Sequence, residues 1–166
     1  PADDLEIVLS ELILKDIETV EKKIGEAKNN SKNVNDPKWQ QAQSFYKSIM
    51  EWLGSGKPAI DLITKNEDEE VLLRDLWLLT NKKMMYVLNV REGMEDSQVD
   101  KWEEDLKSKI QNDSKDYIVR ADVKMSGELG NMNDQEKGEY LSLLDTEPSL
   151  LEEVVDGAYN RLSLLT

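Results

Sequence analysis

Asn89-Val90-Arg91-Glu92 is the stretch whose residue types and spacing suit chemistry best. An asparagine amide both donates and accepts hydrogen bonds, whereas a carboxylate only accepts. Set three residues apart at a strand end, the pair can read a purine. Asn89 would bond the ring edge and brace a neighbouring loop, and Glu92 would accept from ring or exocyclic N–H groups. The plainer alternative is an asparagine that opens a turn by bonding to nearby backbone. Two other groups invite the same question. Lys22, Lys23, Lys28, Lys32 and Lys38 face only Glu26 and Asp36, a local balance of +3 in a chain of net charge −14. They suit a phosphate-bearing partner, or they are solvated cations on an exposed turn. The acids Glu67, Asp68, Glu69 and Glu70, and later Asp100, Glu103 and Glu104, invite a cation. Consecutive helical residues point in different directions, however, so the first four suit a helix dipole better than a metal. No oxygen-rich calcium loop accompanies the second set.

These residues need elements to hold them. Met84 to Leu88 is apolar at odd and even positions alike, which predicts a strand covered on both faces in a parallel sheet. Ligands of such sheets bind beyond the carboxyl ends of the strands, where Asn89 lies. A second apolar run, Tyr117-Ile118-Val119, predicts a parallel partner strand. The intervening helix is expected from a Ser97 cap to about Gln111, with Val99, Trp102, Leu106 and Ile110 inward. A βαβ unit puts both loop ends on one edge, so Asn89 to Glu92 and Ala121 to Lys124 should be neighbours.

Upstream, Leu5, Leu9, Ile13, Ile17, Val20 and Ile24 recur every three or four residues, with Val8 and Leu12 widening the stripe. The polar run Asn29 to Asn35 should end that helix. Asp36 before Pro37 reads as the cap of another, whose stripe is Trp39, Ala42, Phe45 or Tyr46, Ile49 and Trp52 or Leu53. Two long helices joined by a short loop predict an antiparallel hairpin. A third helix, about Glu67 to Leu79, should be capped by Asn66 and bury Leu72, Leu76, Leu79 and Trp77. Two helices close the chain. One runs from about Asp134 to Leu144; the other starts at Ser149 and carries Leu151, Val154, Val155, Ala158, Leu162 and Leu165.

Composition narrows the function classes. The 166 residues contain no cysteine, which excludes disulfides and thiolate metal sites, and no histidine, the commonest general base and zinc ligand. No apolar run approaches a membrane span, so no membrane partner is expected.

Taken end to end, the chain resembles the YchF-type Obg-like ATPases, a branch of the translation-factor-related P-loop NTPases. The likeness is carried by Pro1-Ala2-Asp3-Asp4-Leu5-Glu6-Ile7, Asp16-Ile17-Glu18-Thr19-Val20-Glu21 and Leu78-Leu79-Thr80. It continues in Tyr86-Val87-Leu88-Asn89-Val90-Arg91-Glu92, Asn133-Asp134-Gln135-Glu136-Lys137, Gly157-Ala158-Tyr159 and Leu162-Ser163-Leu164-Leu165-Thr166. Their order and spacing carry the resemblance, not any one piece.

The resemblance implies an α-rich α/β chain that is an internal slice of such a protein. Residues 1–62 would be its helical hairpin, a coiled-coil insertion, and 63–166 the C-terminal half of its parallel nucleotide-binding domain. Asn89, Val90 and Glu92 would be the family's Asn-x-x-Glu base motif. Val90 stands where guanine-selective relatives place a lysine, and Glu92 replaces their aspartate. The intact parent would then use ATP or GTP with Mg²⁺, in the cytoplasm and near the ribosome. The next base-contacting loop would fall at Ala121, Asp122 and Val123. The sequence lacks Gly-x-x-x-x-Gly-Lys-Ser/Thr; Gly54-Ser55-Gly56-Lys57 has neither the spacing nor the following hydroxyl. Alone, the chain is expected to bind purine nucleotide only weakly, to hydrolyse nothing, and to expose a sheet edge through which it can self-associate. The alternative is a helical-hairpin module that binds ribosomal RNA or protein without nucleotide.

Overall fold

A computed structural model describes residues 2–33, 37–91, 93–110, 117–144 and 149–163. Side chains at 31–33, 126, 134, 140, 141, 143, 144 and 149–153 fall outside that description. The elements run α1 (Ala2–Asn33), α2 (Pro37–Gly54), the 3-10 turn η1 (Ala59–Asp61), α3 (Glu67–Asp75) and the 3-10 turn η2 (Leu79–Asn81). Then follow β1 (Tyr86–Asn89), α4 (Asp96–Lys109), β2 (Ile118–Ala121), α5 (Val123–Gly130), α6 (Asp134–Leu144) and α7 (Ser149–Leu162). Contacts sort the chain into two compact units, one from Asp3 to Lys83 and one built from Met84 onward.

In the first unit, the helical stripes meet in one core. Ile13, Val20 and Ala27 of α1 are buried with Ala42, Phe45, Tyr46, Ile49 and Leu53 of α2, and with Ala59, Leu73, Leu76 and Leu78. The stripe of α1 is narrower than its apolar residues suggest: Val8 is exposed and Leu12 half-buried. The polar run from Asn29 does not break α1, which continues to Asn33. Polar residues are only mildly poor helix formers, and burial of Ala27 continues the packed stripe toward that end. The remainder of that expected loop, 34–36, lies outside the described residues, and with it the Asp36 cap.

α3 starts as its sequence requires. The Asn66 side chain accepts from the Glu69 N–H at 2.9 Å, and the Glu69 carboxylate accepts from the Lys65 N–H at 2.8 Å. It stops at Asp75, earlier than the apolar spacing predicts. Trp77 adopts a left-handed φ of 52° and is 78% exposed instead of buried. That turn shifts the register, so Leu78 enters the core while Leu79 stays partly out.

A buried polar knot closes this unit. Asp16, 1% exposed in the middle of α1, accepts from the Leu79 N–H at 2.6 Å and the Thr80 N–H at 2.8 Å. The Thr80 hydroxyl donates to the same carboxylate at 2.7 Å and accepts from the Ala59 N–H at 2.8 Å. Asp16 therefore satisfies the otherwise orphan N–H groups that open η2.

In the second unit, β1 and β2 pair in parallel, with Tyr86 opposite Ile118 and Asn89 opposite Ala121. Both strands lie a residue or two later than the apolar runs suggest. α4 begins at Asp96 after Glu95, not at a Ser97 cap, and ends at Lys109. Successive strand residues point to opposite faces. Arg120 reaches Glu103 of α4, while Val119 faces α7, where a Cβ on Gly157 would lie 3.2 Å from Val119 Cγ2 and 3.1 Å from Met85 Sδ. The sheet thus lies between α4 and α7. The expectation of full cover on both faces fails for β1: Leu88 is 5% exposed but Val87 is 43% exposed. α7 reaches the sheet beside β2 and leaves Val87 open. A further helix, α5, follows β2 directly where the sequence reading had none. Its start is set by Asp122, whose carboxylate accepts from the Met125 N–H at 2.8 Å.

Candidate functional site

The parallel register brings the two strand ends together. The Val90 N–H donates to the Ala121 carbonyl at 2.9 Å, extending the ladder one step past Asn89. Asn89 is exposed, and its Oδ1 accepts from the Val123 N–H at 3.3 Å. The amide thus spans from the end of β1 to the first residue of α5, and its Nδ2 hydrogens have no partner among the described residues. Val90 is half-buried, Ala121 buried, Asp122 half-buried and Val123 exposed. Glu92 lies outside the described residues. Beyond it Gly93 takes φ 80°, a conformation a side chain would strain, and the Met94 N–H returns to the Arg91 carbonyl at 3.2 Å.

A clasp from α4 fixes β2 just before this loop. Arg120 donates to Asp100 Oδ1 at 2.7 Å through its terminal nitrogen and to Glu103 Oε2 at 2.7 Å through Nε. Glu103 also meets Lys107 at 2.5 Å. The two acids that invited a cation in sequence instead hold an arginine, and no metal-competent cluster of three such residues occurs among the described residues. The clasp was not read from sequence, where Asp100 and Glu103 were weighed only as a cation site. Its signal was there: Asp100 and Glu103, three apart, share a helix face.

The hydrogen bond from Lys107, followed by that from Arg120, holds the Glu103 carboxyl below its ordinary 4.5 despite partial burial. A carboxyl depressed on folding contributes stability above its unfolded value and loses it as pH falls through the folded value. Glu103→Gln should therefore lower the urea midpoint at neutral pH. The gap from the parent chain should shrink as pH drops below about 4.5, measured by urea titration followed by circular dichroism at several pH values. A gap independent of pH would contradict the assignment.

The lysines do not form one cluster of idle charge. Lys23 bonds Glu26 at 2.8 Å, which raises its pKa. Lys22 and Lys28 are exposed on α1. Lys38 is one of the residues lining a cleft of about 630 Å³ formed by α2 and α3, together with Phe45 and Leu72. The Lys32 side chain lies outside the description. Gly54-Ser55-Gly56-Lys57 is the C-terminal turn of α2. Gly56 takes φ 79°, and Lys57 Nζ lies 4.6 Å from the centre of the Trp52 ring. This is a helix stop, with its lysine turned onto an aromatic face.

No family model matches the chain. Curated relatives match it from end to end. The ribosome-binding ATPase YchF of Bacillus subtilis is 31% identical over 170 residues, covering 100% of this chain and 45% of that protein. Obg-like ATPase 1 of Schizosaccharomyces pombe is 28% identical, covering 99% of this chain and 43% of that protein. The chain thus spans less than half the length of the relatives it matches. Among solved structures, the Schizosaccharomyces pombe YchF GTPase superposes with a TM-score of 0.68 at 24% identity, over 98% of this chain and 44% of that one. That likeness speaks for the fold: helix-rich, with a small parallel sheet, matching part of a YchF structure.

Proposed function

Since the chain belongs along its whole length to the YchF-type Obg-like ATPases, we propose that it is the base-reading half of a purine-nucleotide hydrolase together with its helical insertion. The observation that carries this is the Asn89 Oδ1 bond to the Val123 N–H. It commits the amide oxygen to bracing the second loop and leaves the amide hydrogens to donate to a purine ring nitrogen. Both purines offer that acceptor, so Asn89 selects purine over pyrimidine and leaves the base choice to Glu92 and the Ala121-Asp122-Val123 backbone. Val90 brings no lysine stem over the base and Glu92 is longer than aspartate, which fits relaxed guanine preference and use of ATP or GTP.

The residues present suit the base and not the triphosphate. Phosphate and Mg²⁺ would be held by parts of the parent outside this sequence, so hydrolysis is not expected of this chain alone. Residues 1–62 fit the reading of an antiparallel coiled-coil hairpin, because α1 and α2 share a core across a three-residue gap. Its lysine-bearing end, Lys22 to Lys38, is the part suited to ribosomal RNA in the cytoplasm, the setting that the name of the Bacillus relative suggests. The outer edge of β1, at Val87 and Asn89, would pair with a strand of the parent or, in this chain alone, with a second copy.

Titrating the ¹⁵N-labelled chain with ATP, GTP and CTP in Mg²⁺ tests the base reading. Purine nucleotides should shift Asn89, Val90 and Ala121 to Val123 with dissociation constants of about 100 μM or weaker; CTP should not. Asn89→Ala should abolish the difference. Submicromolar binding, or shifts elsewhere, would defeat the reading.

A further inference from the structure

The geometry points to a second recognition surface, on the outer edge of β2: we propose that it takes an extended, lysine- or arginine-bearing peptide as an added strand. The ladder identifies which backbone groups are available. The Tyr86 N–H bonds the Tyr117 carbonyl and the Val90 N–H bonds the Ala121 carbonyl, each at 2.9 Å. In a parallel pair with Tyr86 opposite Ile118 and Leu88 opposite Arg120, β2 spends the groups of residues 117, 119 and 121 on β1. The N–H and C=O groups of Ile118 and Arg120 therefore point the other way, and no third strand meets them among the described residues.

A groove of about 450 Å³ lies along β2. It is lined by Ile118, Val119 and Arg120, by Glu103 of α4, and by Asp156, Gly157 and Asn160 of α7. Because α4 and α7 cover opposite faces of the sheet, a groove that touches both and the strand between them must run along the strand's edge. Edges with free ladder groups recruit extended peptides, with main-chain bonds giving affinity and flanking side chains giving choice.

The walls decide the occupant. Arg120 is held by Asp100 and Glu103, and Glu103 is further held by Lys107. Asp156 and Asn160, four residues apart on one face of α7, are exposed and have no partner among the described residues. The charge open to a visitor is thus a carboxylate, on a chain of net charge −14. A second copy pairing through the same edge would bring two Asp156 side chains together between two acidic chains. A basic strand meets no such opposition.

The probe is a capped pentapeptide alternating lysine and valine, titrated into the ¹⁵N-labelled 166-residue chain at 150 mM salt. Its controls are the glutamate–valine counterpart and a lysine–valine version N-methylated on the amides that would face β2. Shifts should centre on Ile118, Arg120 and Asn160, with at least tenfold weaker binding of both controls. Asp156→Lys, an exposed substitution that leaves the fold intact, should reverse the preference between the lysine and glutamate peptides. The proposal fails if the N-methylated peptide binds equally well, since attraction would then be charge alone. It also fails if shifts centre on Val87 and Asn89, if no peptide binds, or if light scattering shows a dimer with the Ile118 and Arg120 amides protected.

Discussion

Asp16→Ala is expected to cost the helical unit about 3–5 kcal/mol, because it removes the one acceptor shared by three donors, two of them buried. The Leu79 N–H, the Thr80 N–H and the Thr80 hydroxyl all end on that carboxylate, which is 1% exposed. Each donor left without a partner in the interior costs about 1–3 kcal/mol, and the space vacated by a carboxylate is small for water to fill. Against a total stability of about 5–15 kcal/mol for a domain, this is a large share. Asp16→Asn should cost less, about 1–3 kcal/mol, since its amide oxygen still accepts while its N–H₂ confronts a donor. Thr80→Val keeps the shape but strands the Ala59 N–H as well. Urea unfolding of the single and double variants would resolve the knot; Asp16→Ala and Thr80→Val should couple by more than about 1 kcal/mol. A loss below about 1 kcal/mol for Asp16→Ala would show that the knot is not what holds η2 against α1.

Arg161→Leu should destabilise the sheet-bearing unit by about 2–4 kcal/mol. Arg161 is only 4% exposed; its Nε donates to the Met84 carbonyl at 3.0 Å, and its guanidinium lies 4.6 Å from the centre of the Tyr117 ring. The side chain thus joins α7 to the entry of both strands. Leucine removes the donor to a carbonyl at the start of β1 and the cation over the ring. Lysine restores charge without the planar fork and should recover only part of the loss. Trp102 is the only tryptophan after Met84, so its fluorescence reports this unit once the other tryptophans are replaced by phenylalanine. An unfolding midpoint unchanged in Arg161→Leu would mean that the contact carries no stability.

What could be read from sequence was what periodicity encodes. The α2 stripe, the Asn66 cap and the parallel neighbourhood of Asn89 and Ala121 all follow from spacing within a dozen residues or from the geometry of a βαβ unit. What escaped depends on partners far apart in the chain or on a single backbone torsion. Nothing around Asp16 announces Thr80. Trp77 looks like a core residue until its left-handed torsion turns it out. α5 was missed because Gly127 and Gly130 argue against a helix, while its cap, Asp122, read only as part of a loop. The place of Asn89 at the end of β1 was legible in the apolar run before it. Arg120, which steadies the strand beneath, needed the fold to bring Asp100 and Glu103 opposite it.

The reach of the Asp16 bonds also has a consequence for the order in which the chain acquires structure. They join residues 63 and 64 positions apart. At about 5–20 residues per second of synthesis, Asp16 is made roughly 3–13 s before Thr80. Through that interval α1 carries a carboxylate on its inward face with no native donor, and closing the helices tightly around it would bury an unsatisfied charge. The first unit therefore cannot complete its core from the helices alone. Its closure waits for η2, the last element of its own unit, so the helices can finish packing only once Leu79 and Thr80 have been made.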